Sequence, residues 1–211
     1  MLFRSLLALG GFALGGTTAA LMSPAAAPHA VTATPVARAV LPVGRVAVPA
    51  ASALQAERQG LILRPIATIL AVPGRMRYGD YRWNEAGVAK VPVWVRVDLN
   101  SQIVSVFRGA HEIGTAVILY GADGLPTPTG KFPVLAKLKD HRSQTYDAPM
   151  PYTLRLTADG VSIHASNVRW GYATHGCVGV PEEFAAKLFD TVKVGDPVLI
   201  VGAEASRKAS A

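Results

Sequence analysis

The stretch Pro92-Val93-Trp94-Val95-Arg96-Val97-Asp98-Leu99-Asn100-Ser101-Gln102-Ile103-Val104-Ser105-Val106-Phe107 decides the fold. Two runs rich in Val, Ile, Trp and Phe, Pro92 to Val97 and Gln102 to Phe107, flank the turn formers Asp98 to Ser101. β-Branched and aromatic residues fit a pleated surface, so the pattern predicts strand, turn, strand. Working outward, Arg108-Gly109-Ala110 offers the next turn and His111 to Tyr120 the next strand. Gly121 to Gly130 is a loop dense in Gly, Pro, Asp and Thr. Lys131 to Leu138, Thr153 to Leu156 and Val161 to His164 are further strands, the last two parted by the turn Asp159-Gly160. Pro197 to Val201 closes the set.

One helix is signalled late. Pro181 suits the first helical position, and Glu182 and Glu183 favour its positive end. Phe184, Leu188 and Val192 recur on one face, and Lys193 and Gly195 end the run. Short strands with one late helix give a mainly β fold, a sandwich or barrel, and not alternating βαβ units. Residues 75–202 suffice for one such domain.

Composition sets the surroundings. The chain has 211 residues, half of them hydrophobic, 17% charged, with a formal net charge of +7. That hydrophobicity excludes a fully disordered chain. The charge favours an anionic neighbour such as a wall polymer or lipid surface. A nucleic-acid partner is not expected, because no basic run with interleaved aromatics occurs. Arg4 followed by the uncharged apolar run Ser5 to Met22 and then small residues makes 1–27 a secretory signal or an uncleaved N-terminal anchor. Either one exports the rest, to the periplasm or cell envelope. Residues 28–74 read as an Ala/Pro-rich linker, with a short helical turn within Ala51 to Gly60, because closely spaced prolines oppose regular helix and central strand. Residues 203–211 read as a disordered tail.

The single cysteine excludes an intramolecular disulfide and Cys-rich metal sites. Cys177 follows His175 and Gly176, and His164 ends a predicted strand upstream. A thiolate is the attacking form of cysteine, and a histidine can generate it. Gly176 allows a tight turn, and backbone N–H groups around Gly176 and Cys177 can hold an oxyanion. His164, His175 and Cys177 also amount to three metal ligands, but no fourth has a recognisable spacing, so neither metal nor cofactor is expected. The order His before Cys does not fit a papain-like protease.

Thr174-His175-Gly176-Cys177 with an upstream histidine resembles the Ser/Thr-His-Gly-Cys signature of L,D-transpeptidases, the YkuD-type catalytic domain. Thr127-Pro128-Thr129-Gly130-Lys131-Phe132 is similar to that family's T-P-x-G-x-F loop. His141-Arg142-Ser143-Gln144-Thr145-Tyr146, followed by Met150-Pro151-Tyr152, is similar to its H-R-S-x-x-Y and M-P-Y segments. Ile163-His164-Ala165 matches its strand end, and Gln102 stands where many members carry Gln. The resemblance spans Val93 to Val201. It implies a β-rich sandwich of mixed sheets with a flanking helix. It also implies a cysteine acyl transfer on peptidoglycan stem peptides: Cys177 as nucleophile, His164 as base oriented by a backbone carbonyl, and a thioester resolved by an amine to give a 3→3 cross-link or a related exchange. His175, Gly176 and Thr174 then line the oxyanion or substrate site, and Tyr146 and Tyr152 close the cleft. The alternatives are an L,D-carboxypeptidase or endopeptidase with the same nucleophile, and a non-catalytic wall-binding relative. The last is motivated by Gly179, where many members carry Arg or Asn; Arg169 is a candidate replacement.

Overall fold

A computed structural model of the chain describes residues 43–122 and 124–202. The expected signal or anchor, the first part of the linker and the tail lie outside the described residues. Twelve strands and two helices follow in order. They are β1 (Arg45–Ala47), α1 (Ala50–Arg58), β2 (Thr68–Leu70), β3 (Tyr81–Trp83), β4 (Val93–Asp98), β5 (Ile103–Arg108), β6 (His111–Val117), β7 (Gly130–Pro133), β8 (Ala136–Arg142), β9 (Pro149–Arg155), β10 (Ser162–Ala165), β11 (Val178–Val180), α2 (Glu182–Thr191) and β12 (Pro197–Val201).

The strands form two mixed sheets, and α2 flanks them, as the sandwich reading expects. The larger has the order β1-β2-β6-β5-β4-β12-β7, with β3 also paired to β6; the smaller is β11-β10-β9-β8. Period-two alternation explains the centre of the large sheet. Val93, Val95 and Val97 of β4 and Val104 and Val106 of β5 enter the main core, where they meet Leu154, Ile163, Ala165, Val178 and Val180 of the small sheet and Phe184 and Leu188 of α2. The alternate residues Trp94 and Phe107 point the other way and stack, ring centroids 4.3 Å apart.

That outer face is why the linker boundary needs correcting. Residues 45–70, assigned to linker, supply β1, α1 and β2 of the domain. Ile62 packs on Trp94 and Phe107, with Ala56, Leu63 and Ile66 beside it. The Arg45 guanidinium is buried and donates to the carbonyl oxygens of Glu112 and Asn84. Arg96 Nε donates to the Leu61 carbonyl at 2.7 Å. Pro49 stands at the N-cap of α1, where a missing N–H costs nothing.

Two further boundaries shift. The single strand expected over Lys131 to Leu138 is two, β7 on the edge of the large sheet and β8 on the edge of the small one. The chain changes sheets at Pro133-Val134-Leu135, and an edge position tolerates the proline. The strand begun at His111 leaves the large sheet after Val117, and Leu119 then pairs with Gly179 through backbone bonds of 2.8 and 2.9 Å in both directions. This joins the end of β6 to β11.

Glu85 ties β3 to the sheet. Burial alone would raise its pKa, but hydrogen bonds from Trp83, Arg108 and Lys90 prevail and bring it from 4.5 down to about 2. A carboxylate with a depressed folded pKa stabilises above its unfolded value and loses that contribution as pH falls toward the folded one. Wild-type stability therefore drops from pH 4.5 toward 2, and the drop is shallower in Glu85→Gln, a comparison made by thermal melts across that range. Arg108, the partner at 2.5 Å, has only 8% of its side chain exposed, so the variant is already less stable at neutral pH.

Candidate active site

β10 and β11 run parallel, with Ile163 opposite Val178 and His164 opposite Gly179. Side chains alternate, so Ile163, Ala165, Val178 and Val180 face the core while His164 and Gly179 face the other way. The same register one step back sets Cys177 beside Ser162. The structure thus sets Cys177, just before β11, on the same face as His164 of β10. His164 is buried and Cys177 half-buried.

His164 is held by its own strand. Its Nδ1 lies 2.8 Å from the Ala165 carbonyl oxygen. A carbonyl only accepts, so Nδ1 carries the proton and Nε2 keeps its lone pair. Burial lowers the imidazole pKa from its ordinary value; the Ala165 bond opposes this, and a nearby His141 lowers it further. A neutral imidazole with a free Nε2 is a competent proton acceptor at neutral pH.

The thiol rests protonated. Burial pushes the Cys177 pKa up, a backbone contact from Ser162 pulls it down, and the Asp159 carboxylate pushes it up again. Cys177 Sγ sits 3.9 Å from the Gly160 carbonyl. At rest, then, Cys177 is a neutral thiol and His164 a neutral imidazole, and the two do not form an ion pair.

The turn before Cys177 is built by residues from three segments. Gly176 is buried with φ +102°, a conformation that L side chains rarely adopt. Its Cβ position would have only ordinary contacts, 3.7 Å from the Leu125 and Pro126 carbonyls, so backbone conformation and not space demands the glycine. Gly176→Ala is expected to cost about 1–3 kcal/mol, read from a denaturation midpoint, and to slow labelling of Cys177.

Thr174 Oγ1 donates to the Cys177 carbonyl at 2.5 Å, and Thr127 Oγ1 donates to the same oxygen at 3.3 Å while accepting from Gly121 N–H at 2.9 Å. The Thr-Pro loop thus clamps the turn that carries Cys177. This corrects the role expected for Thr174: its hydroxyl is committed to the backbone and does not face an oxyanion.

His175 is exposed and stacks on Tyr146, centroids 4.2 Å apart and planes 14° from parallel. Both belong to the site's rim, Tyr146 reaching it from the β8–β9 connection. Tyr152 does not. It packs against the core and sets its ring edge to Phe189 of α2 at 5.9 Å, so the cleft-closing role expected for it is corrected to aromatic packing.

Gly179 also has a structural reason. A Cβ there would lie 2.8 Å from Ser166 Cβ and 3.4 Å from Leu119 Cβ, and its backbone is paired with Leu119. Ser166 fills the space a side chain at 179 would need. Arg169 does not replace one; it is exposed and bonds Asn167 Oδ1 at 2.7 Å. Beyond Ala165 the strand opens on a cavity of about 500 Å³ lined by Pro149, Pro151, Ser166, Asn167 and Pro181. No group of three or more His, Cys, Asp or Glu placed to hold a metal occurs among the described residues.

Sequence reasoning missed three contributors: Asp159 and Gly160, read only as a turn, and His141, quoted within a motif but given no role. The one signal for the first two was their place directly before the strand of His164.

Comparison with known proteins agrees with the fold. The family model described as the L,D-transpeptidase catalytic domain, YkuD, matches residues 92–200. L,D-transpeptidase 1 of Mycobacterium tuberculosis is 31% identical, over 56% of this chain and 53% of its own. Probable L,D-transpeptidase 3 of the same organism is 27% identical, over 42% of this chain and 39% of its own. A crystal structure of an L,D-transpeptidase from Stackebrandtia nassauensis superposes with a TM-score of 0.50 at 26% identity, covering 54% of this chain and 57% of that one. The chain spans about half the length of the curated relatives it matches. With a matched catalytic domain covering half its length, the chain belongs to the L,D-transpeptidase catalytic domain family, YkuD.

Proposed function

We propose that the chain is an exported peptidoglycan L,D-transpeptidase that transfers an acyl group from a tetrapeptide stem to an amine through a thioester on Cys177. The observation that carries this reading is the placement of Cys177 beside the strand of His164, whose Nδ1 is tied to the Ala165 carbonyl so that Nε2 is the free acceptor.

The steps follow from that placement. Cys177 Sγ attacks the carbonyl of the stem's third residue as His164 Nε2 takes the thiol proton. Backbone N–H groups at the Gly176–Cys177 turn hold the oxyanion. The intermediate collapses, the C–N bond to the terminal D-Ala breaks, and His164 returns the proton to the departing amine. An acceptor amine then attacks the thioester, His164 takes its proton, and the thiolate leaves and is reprotonated. A thiol held neutral at rest and deprotonated only as it attacks makes His164 indispensable. The net positive charge supports work beside an anionic wall polymer, in the periplasm or cell envelope.

The test is product analysis after incubation with tetrapeptide muropeptides. Cross-linked dimers or exchange of the terminal D-Ala for another D-amino acid are expected. Shortened monomers alone would instead show that water is the acceptor, as in a carboxypeptidase. Unchanged substrate, together with wall binding that persists in Cys177→Ala, would show a non-catalytic module.

A further inference from the structure

A cavity of about 650 Å³ lies apart from Cys177, on the face of the large sheet that turns away from the main core. Its floor is polar. Ser105 and Thr115 face each other across β5 and β6 in register, and Glu112 stands beside them; all three are at most 8% exposed. Glu112 Oε2 accepts from the Leu70 N–H at 2.7 Å.

Its rim is aromatic. Trp170 is 82% exposed, the most exposed aromatic side chain among the described residues. It is not loose, because Tyr78 meets its ring edge to face at 5.8 Å and 66°. Tyr78 is in turn anchored, its hydroxyl donating to Gln102 Oε1 at 2.8 Å. Arg75 stands exposed at the same mouth.

We propose that this cavity is a saccharide subsite, with the Trp170 indole as the stacking platform for a pyranose ring and the floor of Ser105, Thr115 and Glu112 as its polar complement. Three observations favour a sugar. A large apolar ring face held open to water matches the C–H face of a pyranose, which presents apolar surface on one side and hydroxyls around its edge. Ser105 bonds the Glu112 carboxylate, whose Oε2 takes the Leu70 N–H, and Gln102 Oε1 takes the Tyr78 hydroxyl, so the Thr115 hydroxyl and the remaining carboxylate lone pairs are the floor's acceptors while the Gln102 amide N–H groups and the Arg75 guanidinium donate. The volume falls in the range of small-ligand sites, with room for about two rings.

The position adds a fourth argument. Trp170 sits in the segment that runs from His164 on β10 to Cys177. A polymer that carries its peptide into the cleft at Cys177 would lay its own sugars near this segment. Naming the sugar as the glycan of peptidoglycan rests on the stem-peptide reading above; the saccharide chemistry of the cavity does not.

The full chain is titrated with chitotetraose, the β-1,4-linked tetramer of N-acetylglucosamine, while tryptophan emission is followed. Trp94 is fully buried and Trp83 partly so, so a blue shift reports Trp170. A saturable shift is expected in the wild type; calorimetric titration, which does not use Trp170 as its reporter, is expected to show an affinity at least tenfold weaker in Trp170→Ala and largely retained in Trp170→Phe, with equal thermal midpoints as the control for folding. A second arm compares KM for a disaccharide-tetrapeptide with KM for the free tetrapeptide. The wild type is expected to prefer the glycosylated donor, and Trp170→Ala to lose that preference. No emission shift up to millimolar chitotetraose, or a shift caused by free tetrapeptide and not by the sugar, would overturn the proposal. If neither donor acylates Cys177, the transpeptidase reading fails, while the chitotetraose titration still decides the saccharide site.

Discussion

Replacing His164 with alanine lowers the acylation rate of Cys177 by about 10²- to 10⁴-fold at neutral pH. The size of the effect follows from the resting state of the pair. Burial and the Asp159 carboxylate keep the thiol above its ordinary pKa, so spontaneous thiolate is scarce near pH 7. Nearly all attack then passes through proton transfer to Nε2. The pH dependence separates this role from a merely structural one. The active form is the neutral imidazole, and its pKa lies below 6.5 because burial outweighs the Ala165 bond. The wild-type rate is therefore flat through neutrality and falls on the acid side only below 6.5, as the imidazole protonates. In His164→Ala that acid limb disappears, and the deficit shrinks well above pH 9, where solvent itself removes the thiol proton. A variant with the wild-type profile and a uniformly small loss would show that His164 only packs.

Phe184→Ala is expected to cost about 3–5 kcal/mol of stability. Phe184 is fully buried and meets Tyr81 and Trp83 edge to face at 6.2 and 5.5 Å, so it links α2 to β3 at the margin of the large sheet. α2 also packs on β9 and β10 of the small sheet. α2 thus bridges both layers, and truncating Phe184 removes its transfer free energy and leaves a cavity under the helix. Domains of this size are stable by about 5–15 kcal/mol, so the loss is a large fraction of the whole. β10 carries His164, and loosening its support is expected to slow acylation too. Urea denaturation measures the first effect, and a cost under about 1 kcal/mol would mean the site collapses around the gap.

How far the sequence led depends on whether a signal was local. β4 and β5 were legible because their valines alternate and a four-residue turn separates them. α2 was legible from Glu182, Glu183 and its apolar face, although Val192 leaves the helix and is extended. The N-terminal strands were not. Arg45, Ile62 and Leu70 lie among prolines and alanines, and what makes them structural is a guanidinium on two distant carbonyls and an apolar contact with Trp94 and Phe107. The change of sheet at Pro133 was hidden because both halves read as strand. In the site, Cys177, His164 and Gly176 stood out because chemistry and turn requirement fall in one short segment. Asp159 and His141 act on that pair from a turn and from β8, and only the pairing of β8, β9 and β10 reveals them. Thr174 and Tyr152 took their expected roles from the family resemblance, and their roles are set by what they touch, the Cys177 carbonyl and Phe189.

The central claim is that Cys177 becomes acylated. The most direct measurement is the intact mass of the protein during exposure to a tetrapeptide donor, followed by peptide mapping. The account predicts a transient mass increase equal to the donor less its terminal D-Ala, located on Cys177 and absent in Cys177→Ala. An unchanged mass while donor is consumed, or an adduct on any other residue, would contradict it.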